Sequence, residues 1–241
     1  MKKILHCFSL ALLTLFLAVA CTDDDIIPEE ETGPEAEIEE TLPADDDPVT
    51  GSIEGSISEL DYNETQSASV VTINRIPHTI DKFLELRSQI AHTPQGAAVM
   101  MVVAMRIYQQ YHSEGLKCMV ANSTTPLVAQ GTGDDTYNGM KMSNTSEVVR
   151  KLNDYSYLPM VYFRGASPSN GYTPDGPPYV AELTVNQYSY VNASDGSMRI
   201  KVFIATQGAD SARPVTVRKV GDYYSVTEFS SLYLAPKNLS N

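Results

Sequence analysis

Between Ala97 and Met105 the chain reads Ala-Ala-Val-Met-Met-Val-Val-Ala-Met, apolar at every position and so without a polar face at any helical angle. Just upstream, Thr93 is a residue type that accepts hydrogen bonds as an N-cap. Pro94 follows at the first helical position, where a missing N–H costs nothing. The segment is therefore expected to be a helix from Pro94 to about His112, with Gly115 as its stop. A helix that is apolar all round must be covered all round, so the remaining elements have to wrap it.

What wraps it can be read from the change of hydrophobic period along the chain. Ile80, Phe83, Leu84 and Ile90 recur at helical spacing behind Thr79, and Asn144 with Glu147 has the spacing of a capping box for a helix to about Asn153. Val70–Ile73, four β-branched residues in a row, favours a short strand. After about residue 155 the segments 158–163, 179–191, 198–207, 214–220 and 223–229 are rich in Val, Ile, Tyr and Phe. Met198, Ile200, Val202 and Ile204 alternate with Arg199, Lys201, Phe203 and Ala205, and turns are expected at Asp195-Gly196 and Gly221-Asp222. Helices first and successive strands afterwards predict an α+β fold, with N-terminal helices packed on a C-terminal antiparallel meander sheet. Residues 51–241 are expected to form this one domain.

The first 50 residues have another character. Lys2-Lys3, the apolar run Leu10–Leu17 and Ala18-Val19-Ala20-Cys21 have the order of a secretory signal peptide, here residues 1–20. Its apolar stretch is shorter than the roughly 20 residues a membrane-spanning helix needs. Small residues before Cys21 resemble the lipobox of bacterial lipoproteins. That resemblance implies a lipidated Cys21 as mature N-terminus, a membrane partner through the lipid, and an outer-membrane location. Thr22-Asp23-Asp24-Asp25 resembles the surface-export signal of Bacteroidota lipoproteins, which implies exposure on the outer face. With Cys7 in the signal and Cys21 lipidated, only Cys118 remains and no internal disulfide can form.

From Thr22 to Thr50 the chain has 13 Asp or Glu and no Lys or Arg. Setting these and Lys2-Lys3 apart from the 30 acidic and 17 basic residues leaves 17 and 15, a net charge of −2 for residues 51–241. The acidity thus belongs to residues 21–50, which are expected to be a disordered, self-repelling tether. With no basic stripe to neutralise phosphates, nucleic acid is not expected as a partner.

Signals for catalysis are few. There is no Gly-x-Ser-x-Gly elbow, and Cys118 with His112 lacks a third, orienting group, so Cys118 is expected to be a small buried thiol. His78, His92 and His112 are scattered, Asp134-Asp135 has the wrong spacing for a calcium loop, and Gly131-x-Gly133 lacks the rest of a dinucleotide fingerprint. No metal, cofactor or catalytic residue is expected. The proline- and glycine-rich segment Gly165–Tyr179 is the candidate ligand surface, since Asn170, Tyr172 and Asp175 offer an aromatic face and hydrogen-bonding groups to a glycan or peptide.

His92–Ala98, Ser169–Tyr179, Gly208–Pro214 and Glu228–Leu232 resemble a family of bacterial exported proteins catalogued as a domain of unknown function, over about residues 75–235. This resemblance implies one domain and carries no activity. The order of helices then meander, with Pro214–Lys219 and Gly221–Tyr224 near the end, is similar to the cone-shaped nuclear-transport-factor-like fold. The expected function is a lipid-anchored, noncatalytic binding or interaction module of the cell envelope. The cone resemblance implies the alternative, a small envelope hydrolase or isomerase with its pocket inside the sheet.

Overall fold

A computed structural model of the chain describes residues 42, 44–55, 67–194 and 196–240. Cys21, the signal segment, Asp195 and the acidic stretch to residue 41 lie outside them. The described chain begins with strands β1 (Gly51–Glu54) and β2 (Ser67–Ile73). Helices α1 (Ile80–Ile90), α2 (Pro94–Gln110) and α3 (His112–Ala121) follow. A ribbon of β3 (Val128–Gln130) and β4 (Met140–Met142) leads to α4 (Ser146–Asp154). Five strands complete it: β5 (Tyr179–Val185), β6 (Tyr190–Asn192), β7 (Met198–Ile204), β8 (Arg213–Val220) and β9 (Tyr223–Glu228). The fold is α+β, with its helices mostly N-terminal to the strands.

The main sheet is antiparallel in the order β1-β2-β5-β7-β8-β9, and β6 pairs with the start of β7. β5, β7, β8 and β9 form the meander. β1 and β2 precede the helices in sequence and extend the sheet beyond β5, with Ile73 opposite Tyr179 and Ser67 opposite Val185. Val71 and Ile73 of β2, Ala181, Leu183 and Val185 of β5, Ile200, Val202 and Ile204 of β7, and Val215 and Val217 of β8 are buried. Period-two side chains put these residues on one face. Against this face lies α2, whose residues from Ala97 to Met105 are at most 1% exposed.

Thr93 caps α2 by accepting from Gly96 N at 3.1 Å, and Thr79 caps α1 by accepting from Lys82 N at 3.4 Å. Three local expectations are corrected. Gly115 does not stop α2. The chain breaks at Tyr111, with φ −141° and ψ 90°, and resumes as α3, within which Gly115 lies. A Cβ there would sit 2.2 Å from Tyr108 Cα, so the glycine is needed because the two helices meet backbone to backbone. Asn144 does not cap α4. The helix starts at Ser146, Asn144 Oδ1 accepts from Ser146 Oγ, and Glu147 pairs with Arg150 at 2.7 Å. Leu158–Tyr162 is a 3-10 helix and not a strand, with Met160 N donating to Tyr157 O; Pro159 could not have donated to a ladder.

The boundary at residue 51 is also corrected, because described residues before it are built into the domain. Val49 is 1% exposed within the core, and its carbonyl accepts from Gln89 Nε2 at 2.9 Å. Pro48 O accepts from Asn74 Nδ2 at 2.9 Å.

Candidate functional site

Tyr172 is 1% exposed, so its ring offers no stacking face to a ligand. It stacks on Tyr157 with centroids 4.9 Å apart, and its hydroxyl donates to Lys237 O at 2.8 Å, holding the C-terminal segment against the loop. Burial pushes its phenol up, with Tyr157 adding to the effect. Its φ of +58° follows Gly171 at +67°, a left-handed pair that turns the ring inward. Asn170 is exposed but spent. Its Oδ1 accepts from Ser167 N and Thr173 N, while its Nδ2 donates to Gly165 O and Thr173 O. Asp175 is exposed and fits over Gly165, where a Cβ would come within 2.2 Å of Asp175 Oδ1. The three residues belong to one loop, but they do not form the aromatic binding face expected of them, because the loop's own closure consumes the ring and the amide.

Side chains with reactive chemistry elsewhere are similarly committed. Cys118 lies in the core, and burial, followed by the nearby Glu114, pushes its thiol well above its ordinary value. Glu114 accepts from Ile80 N at 2.6 Å at the start of α1 and from Lys117 Nζ at 2.7 Å. His112 packs its ring on Tyr108, with centroids 4.9 Å apart. Among the described residues no three His, Cys, Asp or Glu come together as a metal site would require.

A cleft of about 280 Å³ opens where the start of the domain, the end of α2 and the proline loop meet. Arg75 and His78 come from the link between β2 and α1, and Arg106 and Gln110 from the last turn of α2. Pro177 and Tyr179 close another side, and Ala44, Asp45 and Asp47 form the remaining wall. Asp45, with its side chain 4% exposed, organises that wall. Its carboxylate accepts from His78 N at 2.7 Å and Thr79 N at 3.1 Å, and it pairs with Arg75 Nη1 at 2.6 Å. Burial would raise its pKa, but the hydrogen bonds from His78, Arg75 and Thr79 together bring it below the ordinary carboxylate value. Arg75 is used up in the same place, donating also to Asp47 O and Pro48 O.

Arg106 is different. It is the first charged residue after the apolar run, half-buried, with burial holding its pKa below the ordinary value and Tyr179 opposing that shift. Its Nη1 donates to Gln109 Oε1 at 3.2 Å, and no carboxylate pairs with it among the described residues. The cleft thus holds one neutralised guanidinium and one whose charge is uncompensated by a carboxylate. Smaller clefts differ in this respect. Beside β5, Arg164 is paired to Glu182 at 2.7 Å. Beside α4, Glu147 is paired to Arg150 at 2.7 Å.

This cleft is only faintly marked in the sequence. Its signal was a charge placed directly behind nine apolar residues, followed by Gln109 and Gln110 in place of acids. Asp45 was hidden within a run of like residues that looks uniformly solvated.

No curated protein and no solved structure matches the chain. Arg75, His78, Arg106 and Tyr179 fall inside the stretch that a family shares, whereas Asp45 and Asp47 fall before it. Residues 75–239 match the family described as "Domain of unknown function (DUF6935)", more than half of the chain, and the protein belongs to that family.

Proposed function

We propose that this protein is a lipid-anchored, exported protein of the cell envelope whose folded domain is a noncatalytic binding or interaction module. The anchor rests on Ala18-Val19-Ala20-Cys21 behind the apolar leader, which suits lipidation of Cys21 at the outer membrane and display on its outer face. The binding role rests chiefly on Arg106, a half-buried cation in the wall of an open cleft whose hydrogen-bond partner among the described residues is an amide oxygen. Catalysis is the weaker reading, because Cys118 is core packing and Glu114 caps a helix.

Two measurements test the two halves. Cys21→Ser should move the protein from the membrane fraction to the soluble fraction; unchanged sedimentation would remove the anchor. The purified full chain should turn over no ester, phosphoester, glycoside or peptide reporter above the buffer rate. Turnover abolished by a single substitution in the cleft would replace the binding reading with an enzymatic one.

A further inference from the structure

Arg106 poses a problem of charge balance. A guanidinium keeps its proton at any physiological pH, and removing it partly from water without a counter-charge is unfavourable unless something repays it. Gln109 satisfies one of its five N–H groups. The acids that face the cleft do not serve. Asp45 is turned to Arg75, His78 N and Thr79, and Asp47 is exposed, with no ion pair to Arg106. The lining also presents the Tyr179 phenol, the Gln110 amide and His78, whose buried Nδ1 has no hydrogen-bond partner among the described residues. Ile76 and Pro177 contribute apolar surface between these groups.

We propose that this cleft binds the anionic group of a small molecule, a carboxylate or a phosphate, with Arg106 as its counter-ion and Tyr179 and Gln110 as flanking hydrogen-bonding groups. The inference rests on the reading of the domain as a binding module and specifies the chemistry of its ligand. Arg fits both anions through the same two-pronged geometry. The volume, about 280 Å³, is at the lower end of ligand sites and suits a molecule the size of a single sugar or amino acid. The exposed Asp47 at the rim opposes the ligand's charge, so it weakens binding and favours ligands that bring further contacts.

Titration of the full chain with inorganic phosphate, glucuronate and neutral glucose, followed by NMR shifts that include the Arg106 Nε–H signal, tests this. One or both anions should saturate those shifts, and glucose should not. The anion that binds tells phosphate from carboxylate recognition. Arg106→Gln should weaken that binding by about tenfold or more, the usual consequence of losing a charge-assisted pair. Asp47→Asn, at an exposed position, should tighten it by about twofold to threefold, as rim charges do. Arg150→Gln, remote and exposed, should leave it unchanged. No saturable binding by either anion, or anion binding indifferent to both Arg106→Gln and Asp47→Asn, overturns the proposal. Glucose binding as strongly as glucuronate would also overturn it while leaving a binding module in place.

Discussion

Arg87 and Arg106 are half-buried guanidiniums on consecutive helices, burial lowers the pKa of both, and neither meets a carboxylate among the described residues. Their surroundings differ. Arg87 donates to Tyr224 O and Ser225 Oγ, each at 3.2 Å, and to Asn122 Oδ1 at 3.4 Å, and lies 4.9 Å over the Tyr223 ring. Asn122 passes the connection on, donating to Ala97 O at 2.9 Å, so Arg87 ties α1, α2 and β9 together. Arg106 has Gln109 and an open cleft. One guanidinium is a structural tie completed by the fold, and the other keeps N–H groups that no described residue uses. Burial of a charge therefore says little about its role until its hydrogen bonds have been traced.

The contrast between completed and open sites can be broken by mutation, and the largest effect belongs to a completed one. Tyr172→Ala should cost about 3 kcal/mol or more in urea unfolding, as loss of a buried aromatic ring does. A loss below about 0.5 kcal/mol, the range of neutral surface changes, would return Tyr172 to the surface as a recognition residue. Arg87→Met should cost about 2–4 kcal/mol, since it strands buried oxygens of Asn122 and Ser225. Chemical denaturation measures this, and a neutral result would erase the distinction between the arginines.

Asp45→Asn should cost about 2 kcal/mol, because a nearly buried carboxylate that accepts from several donors is replaced by a weaker acceptor. The sign of its pH dependence follows from a folded-state pKa below the ordinary 3.8. The unfolded chain then binds more protons than the folded one at acidic pH, so stability rises with pH. Asp45's contribution is complete above the ordinary value and is lost as pH falls through the depressed one. Unfolding midpoints of the wild type and Asp45→Asn should therefore converge in acid, and a constant gap would show that the carboxylate is not ionised in the fold. The smallest effect on stability is expected at the open site. Arg106→Met should change it by less than about 1 kcal/mol or raise it slightly, as replacement of an unneutralised buried charge by an apolar side chain does. A loss above about 2 kcal/mol, the scale of a broken buried charge network, would place Arg106 with Arg87 as a structural tie.

The sequence by itself determined the elements whose signals are local. Thr93-Pro94 and Thr79 started their helices, Ala97–Met105 is buried on every face, and Met198–Ile204 alternates as its period requires, because cap geometry and side-chain period depend on neighbours a few residues away. Tertiary structure decided where a residue's partner is distant. Asp45 meets Arg75, His78 and Thr79 some thirty residues along, Tyr172 meets Lys237 across 65 residues, and Arg87 meets Tyr224 across 137. No local pattern separates a solvated aspartate from a docked one, or an aromatic side chain awaiting a ligand from one that closes its own loop. The same holds for the two arginines, because hydrogen-bond capacity is spent in three dimensions, and only there does Arg106 retain donors that no described residue uses.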